Sequence, residues 1–202
     1  MVRQLLRRSI LWMGVLGLAL PASPVFGQQG AQNGEWRSYG GDAGSTKYSS
    51  LDVIDETNVQ DLEVVWRWQT VDYERQAEDP DVRFNSLLLA TPLKVGDALF
   101  TSTNLGQAAA IDAVTGETLW VYNSVAEGTS AGRGRGTRGL AYWTDGSDER
   151  LLTVSGEHLV ALGTRTGELY PEFGENGKVD LRQDMGPRLQ RYSWNAAPLV
   201  CG

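Results

Sequence analysis

Few residues in this sequence can do chemistry. His158 is the only histidine and Cys201 the only cysteine, which excludes a His-rich metal site and any triad supported by a further histidine. A single histidine reads as a surface residue. Cys201, close to the end of the chain, is an unpaired thiol whose partner is expected outside it. Cations and indoles remain. Arg133, Arg135 and Arg138 are interleaved with glycine in Gly132-Arg-Gly-Arg-Gly-Thr-Arg138-Gly139, a loop whose guanidinium groups suit carboxylates or simply decorate its surface. Trp66, Trp68, Trp120 and Trp143 could stack on a flat ligand, but their strand positions favour packing, where each ring buries a large apolar area.

The elements that must position these groups are strands in repeats with a period of about 50 residues. The clearest unit runs from Thr91 to Tyr122. Thr91 to Val95 reads as a strand, Gly96-Asp97 as a two-residue hairpin turn and Ala98 to Ser102 as the returning strand. Gln107 to Ile111 and Glu117 to Tyr122 complete a four-stranded meander, the last reversal being Asp112-Ala-Val-Thr115-Gly116. An Asp carboxylate there accepts backbone N–H groups and glycine tolerates positive φ, so the turn chemistry suits a tight reversal.

A second unit repeats this order through Gly139 to Thr144, Arg150 to Ser155, His158 to Leu162 and Glu168 to Tyr170. Ala110-x-x-x-x-Thr115-Gly116-Glu117 returns 51 residues later as Ala161-x-x-x-x-Thr166-Gly167-Glu168, with Gly163 in the place of Asp112 and Pro171 in that of Trp120. A third unit begins at Ala196-Ala-Pro198-Leu199, matching Ala90-Thr-Pro92-Leu93. A strand without neighbours leaves its backbone groups unpaired, so the expectation is the front part of a longer protein, truncated at the start of a further unit. Four-stranded sheets repeated radially form a β-propeller. A sandwich does not require a motif recurring at near-constant spacing.

The 202 residues carry 18 Lys and Arg against 25 Asp and Glu, a formal charge of −7, which disfavours nucleic acid as a partner. Arg3, Arg7 and Arg8 precede an apolar run from Ser9 to Leu20, and Val25-Phe26-Gly27 supplies a small-residue site, the layout of a secretory signal peptide. Residues 1–27 are therefore expected to be removed on export, leaving 28–202 with 15 − 25 = −10. The apolar run of 12 residues reaches roughly 18 Å, too short for a hydrocarbon core of about 30 Å.

Ala110-x-Asp112-x-x-Thr115-Gly116-x-x-x-Trp120 resembles the tryptophan docking motif of the quinoprotein dehydrogenases, which use pyrroloquinoline quinone (PQQ) in an eight-bladed propeller. Trp36-Arg-Ser-Tyr39-Gly40-Gly41-Asp42 resembles the start of that family after its signal peptide. Asn58-Val-x-x-Leu62-x-x-x-Trp66 resembles its early strand, completed by the far C-terminus. Thr91 to Asp97, Arg138 to Trp143 and Phe173 to Leu181 are most similar to the glucose-dehydrogenase branch. The vicinal cysteine pair of the alcohol branch is absent before Arg138, which points to the sugar or polyol side.

The resemblance implies an all-β fold, a partial eight-bladed propeller with about two complete blades plus fragments. It implies a periplasmic dehydrogenase that oxidises a sugar or alcohol and passes electrons to a quinone or cytochrome. Arg138, just before an innermost strand, is the expected contact to PQQ. Asn195 occupies a position where the family usually has Thr or Ser facing the cofactor carboxylates, and an amide still donates a hydrogen bond. Leu89 stands where many relatives place a cofactor-contacting Glu, so that contact is expected to be lost. The Ca²⁺ ligands and the catalytic Asp are expected downstream of Gly202, leaving this fragment inactive alone. The alternative is a non-enzymatic propeller with the same repeats that scaffolds outer-membrane protein assembly.

Overall fold

The computed structural model describes residues 30–84, 87–126, 138–186, 194 and 196–200. The expected leader 1–27, Arg133, Arg135, Asn195 and Cys201 lie outside the described residues. Among the described residues, eight strands form two four-stranded sheets. The first holds β1 (Leu93–Val95), β2 (Ala98–Ser102), β3 (Ala108–Asp112) and β4 (Thr118–Tyr122) in that spatial order. The second holds β5 (Ala141–Thr144), β6 (Glu149–Ser155), β7 (His158–Gly163) and β8 (Lys178–Asp180), also in sequence order. All ladders are antiparallel, as hairpin-connected neighbours must be.

The two sheets share one core. Leu93, Phe100 and Ala110 of the first pack in the same cluster as Leu151, Val160 and Leu162 of the second. Full burial of each large aliphatic chain contributes about 1.5–3 kcal/mol, while the small Ala108, Ala109 and Ala110, all 0% exposed, allow the layers to approach closely.

The reversal into β4 follows the turn chemistry. Asp112 Oδ1 accepts the N–H groups of Val114 at 2.9 Å and Thr115 at 2.7 Å, and Gly116 stands at φ +76°. In the second sheet the Gly167 N–H donates to the Gly163 carbonyl at 2.9 Å with Gly167 at φ +71°. The backbone turn therefore survives without the carboxylate. Trp120 lies over this turn: its Nε1 donates to the Thr164 carbonyl at 2.9 Å, and a Cβ on Gly167 would sit 2.3 Å from its ring. Trp66 covers Gly116 in the same way, at 2.7 Å from such a Cβ. Each indole thus rides on the Thr-Gly turn of the following unit.

One expectation is corrected. The fourth strand of the second sheet is not Glu168 to Tyr170 but β8, ten residues later. Leu169 makes a single bridge to Leu162 and the Tyr170 N–H donates to the Ala161 carbonyl at 2.8 Å. Pro171, lacking an N–H, then ends the ladder, and the chain returns only at Lys178, opposite Val160. The stretch from Asn58 to Trp66, whose expected partner strand belongs to the far C-terminus, has no partner strand among the described residues. Val59–Asp61 is a 3-10 turn, and residues 62–69 carry no ladder among the described residues; Val64 and Val65 are 66% and 85% exposed. Finally, a short helix absent from the sequence reading, α1 (Asp72–Glu78), lies before β1.

The first residues of successive units meet. The Thr91 N–H donates to the Arg138 carbonyl at 3.0 Å, and Thr91 bridges Gly139 in parallel. A Cβ on Gly139 would stand 3.6 Å from Cβ of Ala197. Two inner strands and the start of a third are thereby held side by side, as radial stacking of sheets requires. The segment around Trp36 joins them, exchanging backbone bonds with Lys94 at 2.8 and 3.0 Å.

Candidate functional site

These inner strands border a cavity of about 630 Å³, walled by Arg37 and Ser38, by Arg138, Tyr142 and Trp143, and by Pro198. Arg138 is brought to this wall because its backbone is tied to Thr91, which fixes the entry into β5. Its side chain is exposed and makes no ion pair among the described residues. It is a cation available to a ligand. Asn195 lies outside the described residues, and its neighbours Ala196 and Ala197 line the same cavity. Leu89, 54% exposed, offers no polar atom beyond its backbone.

Arg37, by contrast, is committed. It pairs with Glu35, whose carboxylate also accepts the Gly96 N–H at 2.9 Å. The hydrogen bond from Arg37 holds the Glu35 carboxyl below its ordinary range. The guanidinium of Arg37 lies 5.3 Å from the centre of the Tyr142 ring, within cation–π reach. The Tyr142 hydroxyl donates to Glu149 Oε1 at 2.8 Å, and burial followed by that carboxylate pushes the phenol up, so it remains a neutral donor at neutral pH. Ser38 differs from both: the residue borders the cavity, but its Oγ is buried away from the open space, without a hydrogen-bond partner among the described residues.

Sequence reasoning missed Arg37 and Ser38 as site residues. They belong to the Trp36 to Asp42 motif, which carried a family signal but no indication of a wall. That segment is shaped by Asp42, whose carboxylate accepts the Gly30 N–H at 2.8 Å and the Thr46 N–H and hydroxyl at 2.9 Å; these bonds, led by the Thr46 amide, lower its pKa. The packing role expected of the indoles holds for Trp66 and Trp120, while Trp68 donates from its Nε1 to the Thr118 hydroxyl at 2.9 Å. Trp143 faces the cavity and also lies under the Arg150 guanidinium at 4.6 Å. His158 is not the plain surface histidine expected: it is half-buried at the start of β7, with Nδ1 buried and unpartnered among the described residues.

An anionic ligand with a flat apolar body fits this wall: a guanidinium unpaired among the described residues and two aromatic rings. Comparison with known proteins identifies the family. The family described as PQQ, glucose/ethanol/alcohol dehydrogenase, beta-propeller domain, matches residues 36–202. The chain belongs to that family, and its fold is a partial propeller of the quinoprotein dehydrogenase type. It is 28% identical over 173 residues to the glycerol dehydrogenase large subunit of Gluconobacter thailandicus, covering 82% of this chain and 23% of the relative. To the dehydrogenase subunit of the alcohol dehydrogenase (quinone) of Gluconobacter oxydans it is 34% identical over 143 residues, covering 69% of this chain and 17% of the relative. Quinoprotein glucose dehydrogenase A of Acinetobacter calcoaceticus is 26% identical over 175 residues, covering 77% and 21%. The chain thus spans about a fifth of the length of the curated relatives it matches. Among solved structures, a quinohemoprotein alcohol dehydrogenase from Pseudomonas putida superposes with a TM-score of 0.62 at 24% identity, over 83% of this chain and 22% of that one, a likeness of fold.

Proposed function

We propose that this chain is the N-terminal part of a periplasmic PQQ-dependent dehydrogenase that oxidises a sugar or polyol and passes electrons to a quinone or cytochrome. The observation that carries the reading is the Arg138 guanidinium, unpaired among the described residues, at the wall of a cavity between inner propeller strands. PQQ, when bound with Ca²⁺, supplies an acceptor for two electrons and two protons from the substrate. The residues of this chain bind and orient. Arg138 pairs with a carboxylate of the cofactor. The Asn195 amide donates hydrogen bonds to further oxygens. Tyr142 and Trp143 keep water from the apolar body of the ligand.

Ca²⁺ ligands and the base that takes the substrate hydroxyl proton belong, in this reading, to later blades of the whole enzyme, and residues 1–202 alone are inactive. The family match to dehydrogenases favours this reading over a scaffold. Relatives that act on glucose, glycerol and alcohol are similar to nearly the same degree, so the sugar or polyol choice rests on the missing cysteine pair before Arg138. The test is dye reduction by the full-length protein with aldoses, polyols and primary alcohols, with and without PQQ and Ca²⁺. Activity that requires both additions and is highest on an aldose or polyol is expected. Silence on every substrate would contradict the proposal.

A further inference from the structure

Arg150 takes no part in the chemistry proposed for the cavity, yet its guanidinium lies against two aromatic rings, 4.6 Å from the centre of Trp143 and 3.8 Å from that of Tyr170. Both distances are within cation–π reach. Asp148 anchors the group: Arg150 Nε and Nη2 donate to Asp148 Oδ2 at 3.0 and 2.7 Å, and the Tyr170 hydroxyl is hydrogen-bonded to the same carboxylate. The bonds from Tyr170 and Arg150 hold the Asp148 carboxyl below its ordinary range, so the anchor is charged at neutral pH.

Local pairing brings these groups together. Trp143 and Arg150 are direct partners across β5 and β6, so both side chains leave the sheet on one face. On its other side Arg150 pairs with Gly163, which offers no side chain, and the second ring comes from Tyr170, the last residue before Pro171 ends the ladder. The repeat does not require this arrangement. With Gly163 in the place of Asp112, the same row of the first sheet is Val95, Ala98 and Asp112, which holds neither a ring nor a cation. Of the two sheets, only the second carries the stack, and its inner strand lines the cavity beside Arg138. Trp143 is part of that wall, whereas Arg150 and Tyr170 stand behind it.

In its sheet β5 is paired on one side only, and Trp143 is half-buried, so contacts beyond the ladder must select the rotamer of its ring. A planar guanidinium tied to a carboxylate suits that task, because the fork fixes its own orientation. We propose that Arg150 is a positioning residue: fastened to Asp148 and flanked by Tyr170, it fixes the Trp143 indole in the cavity wall, where the ring meets the flat body of the ligand. The hold on the indole exists in the apoprotein; its benefit to the ligand rests on the PQQ site proposed for this cavity. Lysine at this position would keep the charge without the plane, and so would not replace arginine.

Full-length apoprotein labelled with 5-fluorotryptophan tests the hold without any cofactor. The Trp143 fluorine resonance, identified by its absence from Trp143→Leu, is expected to be single and sharp in the unmodified protein and broadened or split in Arg150→Lys. Tyr170→Leu, a change outside the cavity wall, should have the same effect. Titration with PQQ in Ca²⁺ then reads the consequence. Arg150→Lys should weaken binding about fivefold, the size of one cation–π contact, and should cause no further loss in the Trp143→Leu background. A Trp143 resonance that neither variant alters, or the same loss of affinity with and without the indole, would overturn the positioning role. If the unmodified protein binds no PQQ, the PQQ reading falls, while the fluorine resonance still decides whether Arg150 holds the indole. Should Arg150→Lys fail to fold, Tyr170→Leu carries both readouts.

Discussion

At the scale of single residues the tightest constraint is the contact between an indole and a glycine. Gly167 sits at φ +71° with the Trp120 ring 2.3 Å from where a Cβ would lie. Gly96 has a similar φ of +55° but nothing within 4 Å. Alanine at Gly96 pays only for a left-handed backbone, about 1 kcal/mol. Alanine at Gly167 must also displace an aromatic ring, raising the loss to about 2–3 kcal/mol. Urea denaturation of the two variants should separate them in that order, and Trp120→Ala should lose about 3 kcal/mol by removing the ring itself. Equal losses at the two glycines would refute the docking contact. The place of Arg138 just before a strand was legible. Ser38 was not, because a buried hydroxyl without a partner is a property of packing that no spacing of residue types encodes.

At the scale of elements the two sheets follow their repeats closely, since hairpin turns, Gly positions and β-rich runs all agree on seven of the eight strands. The eighth escaped because Pro171 replaces the residue that would have continued the ladder, so the missing pairing was filled from beyond the turn at Gly177. That glycine stands at φ +85° with the Leu169 side chain 2.8 Å from a Cβ position. The α1 helix escaped for a different reason: seven residues are too few for a periodic signal, and the helix is fixed by a buried carboxylate contact 32 residues away. The split edge has a consequence for local stability. β8 has three residues, all half-buried, and one neighbour, whereas β3 and β6 are paired on both sides. Amides of β8 should exchange well before those of β3 and β6. Exchange of all strands in one step would show instead that the second sheet opens only as a unit.

At the scale of the molecule, charge is arranged so that turns depend on ionised carboxylates. Asp42, Asp112 and Asp145 accept two or more bonds each from their own loops, chiefly backbone N–H groups, and those bonds hold all three below the ordinary range. A carboxyl with a depressed folded pKa contributes stability that is complete above its unfolded value near 3.8 and is lost as pH falls through the folded value. Thermal melts from pH 7 to pH 2 should therefore show a fall in Tm confined to the acid limb. Asp112→Asn should flatten part of that fall, and a Tm unchanged down to pH 2 would exclude this role. In the proposed reading the exposed Val64 and Val65 are covered by a later strand of the whole enzyme.

The most direct measurement is an equilibrium titration of the full-length apoprotein with PQQ in Ca²⁺, followed by tryptophan fluorescence, beside its Arg138→Ala variant. Saturable one-to-one quenching, with affinity reduced at least tenfold in the variant, is the predicted result, the loss expected when a charge-assisted pair of about 1.5–3 kcal/mol is removed. Quenching that never saturates, or the same affinity in both proteins, would contradict the placement of the cofactor at this wall.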